Sequence, residues 1–248
     1  DSLNFSKNQI MDQARYSHSV TAATANPTER ATFIRRTYVH LALAIIAFAG
    51  IEAMLLSSPM AEGLIQKMLG GKYTWLIVLG CFMGVSYLAD NLARSRANPG
   101  MQYLGLGLFV VAEAIVFLPM LYIAIQYTGS GDIVTTAALM TLLLVAGLTA
   151  TVFITRKDFS FMGNILAIGG LLALGAIVIG IFTGYSLGLW FSVIMVGFAA
   201  GSILYTTSNI LHHYRTDEHV AAALSLFASV AMLFWYILRI LLAFANRD

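Results

Sequence analysis

The chain reads as an all-α integral membrane protein with seven transmembrane helices, the last of them enclosed by the others. Three observations lead there. Of 248 residues, 59% are hydrophobic and 10% charged, with a mean hydropathy of +0.80; a soluble domain carries about 25% charged residues. Seven apolar runs cover residues 37–56, 73–89, 102–125, 133–154, 161–182, 187–209 and 220–244, and about 20 apolar residues are enough to cross a bilayer. The last run opens AAALSLFASVAM, which puts Ala221, Ala222, Ala223, Ser225, Ala228, Ser229 and Ala231 on every face of a helix. Small residues let membrane helices approach closely, so small residues all round predict a helix with neighbours on all sides.

From Asp1 to Ala31 the sequence mixes Ser, Asn, Gln, Thr and Ala with scattered charge and lacks the apolar stretch of a signal peptide. It predicts a flexible tail, followed by a seven-helix domain over residues 32–248. The second run is the shortest. The loops are mostly short, so successive helices are expected to be antiparallel neighbours. Gly80 and Gly84, and likewise Gly197 and Gly201, form GxxxG patterns that predict close crossings. Pro119 is expected to kink the third helix, because it removes one backbone donor. The single cysteine, Cys81, excludes an internal disulfide.

Lys and Arg set the expected orientation. With the N-terminus cytoplasmic, the inner side holds Lys7, Arg15, Arg30, Arg35, Arg36, Arg94, Arg96, Arg156, Lys157 and Arg215; the outer side holds Lys67, Lys72, Arg239 and Arg247. Seven crossings then place the C-terminus outside.

Charged groups inside the runs are the candidate functional residues, since one costs about 2.5–3.5 kcal/mol at the centre of a membrane helix. Glu113 lies near the middle of the third run. It reads either as a proton-sensing or ion-coordinating carboxyl or as a protonated one bonded to a neighbouring helix. Glu52 and Arg239 lie at similar depth near the outer ends of the first and last runs. They form an ion pair if those helices touch, and otherwise each reaches the interface alone. The sixth run ends in the polar stretch Tyr205-Thr206-Thr207-Ser208-Asn209. The following loop holds His212, His213 and His219, but their spacing matches no metal-ligand motif, and Thr216 is placed to cap the last helix. No hydrolase triad, zincin motif or phosphate loop occurs, and no lysine follows Lys157 to carry a retinal-type chromophore. An enzyme is not expected, nor a cofactor or a nucleic-acid partner.

The turn Thr155-Arg156-Lys157-Asp158-Phe159-Ser160-Phe161-Met162-Gly163, the run Leu204-Tyr205-Thr206-Thr207-Ser208-Asn209-Ile210 and the stretch Ala223-Leu224-Ser225-Leu226-Phe227 together resemble the Bax inhibitor-1 family. The resemblance covers about residues 30–248, and its turn motif includes Arg156, Asp158, Ser160 and Gly163. It is strongest to a bacterial inner-membrane branch linked to the AAA protease FtsH. The resemblance implies six helices wrapped around a central seventh. It implies an inhibitor and slow substrate of FtsH, in contact with that protease and its accessory membrane proteins. The tail from Asp1 to Ala31 would be the part that the protease engages. The alternative it implies is a pH-sensitive calcium or cation leak channel. Such relatives carry an Asp pair where this chain has Thr206 and Ser229, which cannot ionise, while their outer acid–base pair corresponds to Glu52 and Arg239.

Overall fold

A computed structural model describes residues 20–245 except 72, 96, 97 and 130. Most of the expected tail (residues 1–19), the cations Lys7, Arg15, Lys72, Arg96 and Arg247, and the C-terminal residues 246–248 lie outside the described residues. Eight helices follow in order among the described residues: α1 Pro27–Leu56, α2 Ala61–Leu69, α3 Thr74–Ala93, α4 Pro99–Thr128, α5 Asp132–Thr155, α6 Met162–Thr183, α7 Gly188–His212 and α8 His219–Ala245. All but α2 are long and apolar enough to cross a membrane.

Local chemistry sets several of the ends. The Asn26 side chain accepts from the Glu29 N–H at 2.9 Å, and Pro27 occupies the first helical position of α1. Asn98 and Pro99 repeat this arrangement at α4, with Asn98 accepting from the Gly100 N–H at 2.8 Å. Gly129 and Gly184 close α4 and α6 in the left-handed conformation, at φ 64° and 74°. The nine-residue α2 is too short to span, and it lays Ala61 and Ile65 against Leu118 of α4.

The expected centre is where the sequence places it. Helices α1, α3, α4, α5 and α7 pack directly on α8, and α6 joins the bundle chiefly through α7. Ala221, Ala222 and Ala223 are fully buried, and Ser229 and Ala231 nearly so. Further along α8, aromatic side chains take over the contacts. Phe227 meets Phe48 of α1 and Phe109 of α4 edge-on, and Phe117 of α4 stacks on Phe234 and meets Trp235. The outer helices turn Ile165, Ile168, Leu171 and Leu172 of α6, among others, outward. That is the surface a bilayer requires.

Short contacts mark one end of the bundle. The Ala22 N–H donates to the Tyr214 carbonyl at 2.8 Å, and the Thr216 N–H donates to the Val20 carbonyl at 3.2 Å. The turns after α3, α5 and α7 also lie here, joined by contacts between Arg94 and Tyr214 and between Asp158 and His213. Arg30, Arg35, Arg36, Arg94, Arg156, Lys157 and Arg215 belong to this side of the chain, which we call the basic end.

Three expectations are corrected. Residues 20–26 are not loose: they pair with the α7–α8 turn, and α1 begins at Pro27, inside the expected tail. Thr216 is not the capping residue of α8: the helix starts only at His219, and the Glu218 carbonyl accepts its first bond, from the Ala222 N–H at 2.9 Å. The GxxxG glycines are mostly not at crossings. A Cβ on Gly80, Gly84 or Gly197 would meet nothing within 4 Å, and only Gly201 faces a neighbour, the tip of Met162. The close crossing is at Gly105 of α4, where a Cβ would sit 2.5 Å from the Ala89 carbonyl oxygen and 2.7 Å from the Ala93 nitrogen of α3. Backbone cannot yield as a flexible side chain does, so G105A should lower stability by about 1–3 kcal/mol. G80A should be neutral or slightly stabilising, since it only replaces a helical glycine. Unfolding of the two purified variants in detergent checks this; equal stability would show that α3 and α4 are not held by that contact.

Candidate functional site

A polar cavity of about 470 Å³ opens at the basic end. Helix α7 supplies Tyr205, Thr206 and Asn209, the α7–α8 turn supplies His213, Tyr214 and Glu218, and Arg94, Ser160 and Ser225 complete the lining. The Arg94 guanidinium donates from Nε to Asp90 Oδ2 at 2.8 Å and lies 5.8 Å above the centre of the Tyr214 ring. The Asp90 hydrogen bond, outweighing desolvation, pushes Arg94 further above its already high value, so it stays a cation. Tyr214 Oη and Ser225 Oγ hydrogen-bond at 2.9 Å, tying the turn to α8. Glu218 Oε2 accepts from the Arg215 N–H at 3.0 Å. The cavity therefore offers hydroxyls, an amide and charges of both signs, chemistry suited to holding water or a polar segment.

The α5–α6 turn forms one wall, and its motif residues have separate structural tasks. Arg156 ends α5 in the left-handed region, at φ 52°, while its N–H bonds the Val152 carbonyl at 2.8 Å. Asp158 Oδ1 accepts from the Ser160 N–H at 2.8 Å and so closes the turn that leads into the next helix. Gly163 lets α7 come close: a Cβ there would lie 3.0 Å from Tyr205 Oη. Ser208 of α7, fully buried, holds the turn in place. Its Oγ accepts from the Phe159 N–H at 2.8 Å and donates toward Asp158 Oδ1 at 3.3 Å.

The remaining predicted residues fall in three places. Thr206 lines the polar cavity, but Ser229 does not face it; Ser229 Oγ bonds Ser202 Oγ of α7 at 2.8 Å, one turn deeper, and donates to the Ser225 carbonyl. Glu113 is 7% exposed and has no hydrogen-bonding or charged partner among the described residues. It sits one turn from both Phe109 and Phe117, on the face of α4 that meets α8.

Glu52 and Arg239 do not pair, although α1 and α8 touch. Glu52 lines an apolar cavity together with Phe234, whereas Arg239 lines a separate cavity with Trp75 and Tyr236. Five residues separate Phe234 from Arg239, which turns Arg239 about 140° away from the Glu52 side of the helix. Glu52 also lies level with Val230, Ala231 and Phe234, more than a helical turn short of Arg239.

Sequence reasoning missed Arg94, Ser202 and Tyr214. The four-residue spacing of Ser225 and Ser229 was the available signal, because it predicts a hydroxyl pair on one face of α8. Among the described residues no three His, Cys, Asp or Glu side chains cluster to hold a metal.

Asp158 yields a pH prediction. The Ser160 N–H, ahead of an opposing effect of burial, holds its carboxyl below the ordinary 3.8, with His213 and His212 helping. A carboxyl depressed in the folded state stabilises the turn above its unfolded value and loses that effect as pH falls through the folded value. Amide protection at Ser160 should therefore decline as the solution is acidified below pH 3.8, and D158N should start lower and stay flat. Hydrogen exchange read by mass spectrometry, corrected for the intrinsic rate, checks this.

Comparison with known proteins follows the same elements. The family model described as "Inhibitor of apoptosis-promoting Bax1" matches residues 30–246, nearly all of the described bundle. An uncharacterized Pseudomonas aeruginosa protein, PA2604, is 30% identical over 224 residues, 90% of this chain and 94% of its own length. Bax inhibitor 1 of Schizosaccharomyces pombe is 25% identical over 248 residues, 98% of this chain and 87% of that protein. The modulator of FtsH protease YccA of Escherichia coli is 37% identical over 121 residues, 48% of this chain and 54% of that protein. With seven spans, α8 among them at the centre, and a match over nearly its whole length, the chain is a multi-pass membrane protein of the Bax inhibitor-1 family.

Proposed function

We propose that this chain is an inner-membrane modulator of an FtsH-type AAA protease, acting as an inhibitor and slow substrate rather than by catalysis. The observation that carries this reading is the 37% identity to the E. coli protein whose name is modulator of FtsH protease. A second E. coli relative is named an inner membrane protein, which supports the location.

The physical logic is that of a load that resists pulling. An ATP-driven unfoldase draws on one end of its substrate. The sequence reading makes Asp1 to Ala31 the handle; with residues 20–22 tied to the bundle and Pro27 onward helical, the proposed handle is residues 1–19, which lie outside the described residues. Force on that end first meets the backbone bonds from residues 20 and 22 to the α7–α8 turn. It then meets α1, packed on α8 in the middle of the bundle. Removing α1 exposes close-packed small residues to lipid and forfeits their contacts. Extraction is slow, and the protease stays occupied. The described cations support a cytoplasmic handle: seven at the basic end, against Lys67 and Arg239 at the other.

Deleting residues 1–19 should prolong the chain's half-life severalfold in cells that contain the protease, and should release the protease to degrade its other substrates. A chase of full-length and truncated chains, with the protease present and depleted, reads this. Equal rates of loss would reject the tail as handle.

A cation-leak function is the second reading, and the buried, unpartnered Glu113 supports it. It is weakened by Thr206 and Ser229, which place hydroxyls where a leak of that type uses carboxylates. If Glu113 binds a permeating ion, E113Q should reduce calcium entry into dye-loaded liposomes at least about tenfold, a change of about 1.4 kcal/mol in the barrier. Equal entry through wild type and variant would reject a role for Glu113.

A further inference from the structure

The cavity beside Glu52 lies apart from the polar end and belongs to neither reading above. It measures about 310 Å³, at the lower end of the ~300–1,000 Å³ of small-molecule sites. Helices α1, α4, α5 and α8 enclose it, with Phe48, Phe227 and Phe234 forming much of its wall. Its lining is almost wholly apolar and includes no Lys, Arg or His.

Two polar side chains reach it, Glu52 and Thr141. The Thr141 hydroxyl is already committed, donating to the Ala137 carbonyl at 2.7 Å. Glu52 is 4% exposed, and neither carboxyl oxygen has a hydrogen-bond partner. A buried polar group without a partner costs about 1–3 kcal/mol, and more when charged. The cavity thus holds unmatched acceptors and no free cation to complement them.

The mouth opens sideways. Ala49 and Ala53 of α1 and Leu142 of α5 line the cavity and are also exposed on the outer face of the bundle. In a membrane that face meets acyl chains, so a ligand enters from the lipid and needs an apolar body.

We propose that this cavity binds a lipophilic amine, its hydrocarbon part among the phenylalanines and its ammonium on the Glu52 carboxylate. An ammonium brings three donors, no acceptor and the opposite charge. Alcohols bring an acceptor that the cavity leaves unmatched. Zwitterionic lipids bring a phosphate, and no cation in the lining receives it.

The test uses the full chain in phosphatidylcholine nanodiscs, with radiolabelled dodecylamine as probe and unlabelled dodecanol as a neutral competitor of equal length. Saturable binding is expected above the linear partition into lipid. E52Q should weaken it at least about tenfold, equivalent to about 1.4 kcal/mol. A53W, which fills the mouth while keeping the carboxyl, should abolish it. Dodecanol should compete at least about tenfold less well than unlabelled dodecylamine. Elution of each variant as a single species confirms folding, and if E52Q fails there, A53W and the dodecanol competition carry the test. Binding that never saturates, binding unchanged in E52Q or A53W, or equal competition by dodecanol would overturn the assignment.

Discussion

The bundle depends on keeping α8 out of contact with lipid. Lipid tails are as apolar as the helices, so no hydrophobic force drives helix against helix; close packing and interhelical hydrogen bonds must do it. Ala221, Ala222 and Ala223 make that possible at the basic end, where they have no exposed surface, and five of the other spans pack on α8 along its length. Further along, Phe227, Phe234 and Trp235 replace alanines at the contacts. Two cavities, the one beside Glu52 and the one beside Arg239, border this aromatic segment. Small residues thus set the contacts of α8 at the basic end, and aromatic rings set them further along.

The basic end is held by a different kind of bond. Four chain segments meet there: residues 20–22, the end of α3, the α5–α6 turn and the α7–α8 turn. Their backbone groups have left the helical ladder and need partners. Ser208 and Asp158 satisfy the α5–α6 turn, Tyr214 and Ser225 join the next turn to α8, and the Tyr214 and Val20 carbonyls hold the first segment. The polar cavity is what remains between these ties, so its shape depends on the turns more than on the helices. A load applied to residue 20 reaches the α7–α8 turn directly, which makes this end the mechanical entrance to the bundle.

The number and order of the membrane spans and the central place of the last helix were legible in the sequence, because each rests on one-dimensional information: run length, loop length and residue size. The turn motif was legible too, since Arg156, Asp158, Ser160 and Gly163 act through neighbours close in sequence or through one contact with α7. What could not be read required knowing where a residue points. Position near the outer ends of their helices suggested a Glu52–Arg239 pair, and depth and rotation about α8 prevent it. The GxxxG pattern marked Gly80 and Gly84, yet they face open space, while the lone Gly105 meets the backbone of α3. The short α2 escaped notice because nine residues show too little periodicity against longer apolar runs.

The two buried carboxyls bear differently on what the bundle does. A charged residue costs about 2.5–3.5 kcal/mol at the centre of a membrane helix, and neither Glu113 nor Glu52 recovers its cost through a partner within the described residues. A protein that only resisted extraction would be firmer with leucine at both positions. Glu113 sits between Phe109 and Phe117 against α8, where a cation has little room unless the helices separate. Glu52 differs, because its unmatched oxygens already face a preformed space with a mouth at the lipid surface. A ligand filling that space would also bridge α1 to α8, the contact that on the proposed reading resists pulling from the N-terminal side. Occupancy of the cavity and resistance to extraction are then linked: whatever binds there only in the intact bundle stabilises it by RT ln(1 + [L]/Kd). Both readings therefore converge on the α1–α8 interface as the place where a small molecule in the bilayer would alter the rate at which this chain is drawn out.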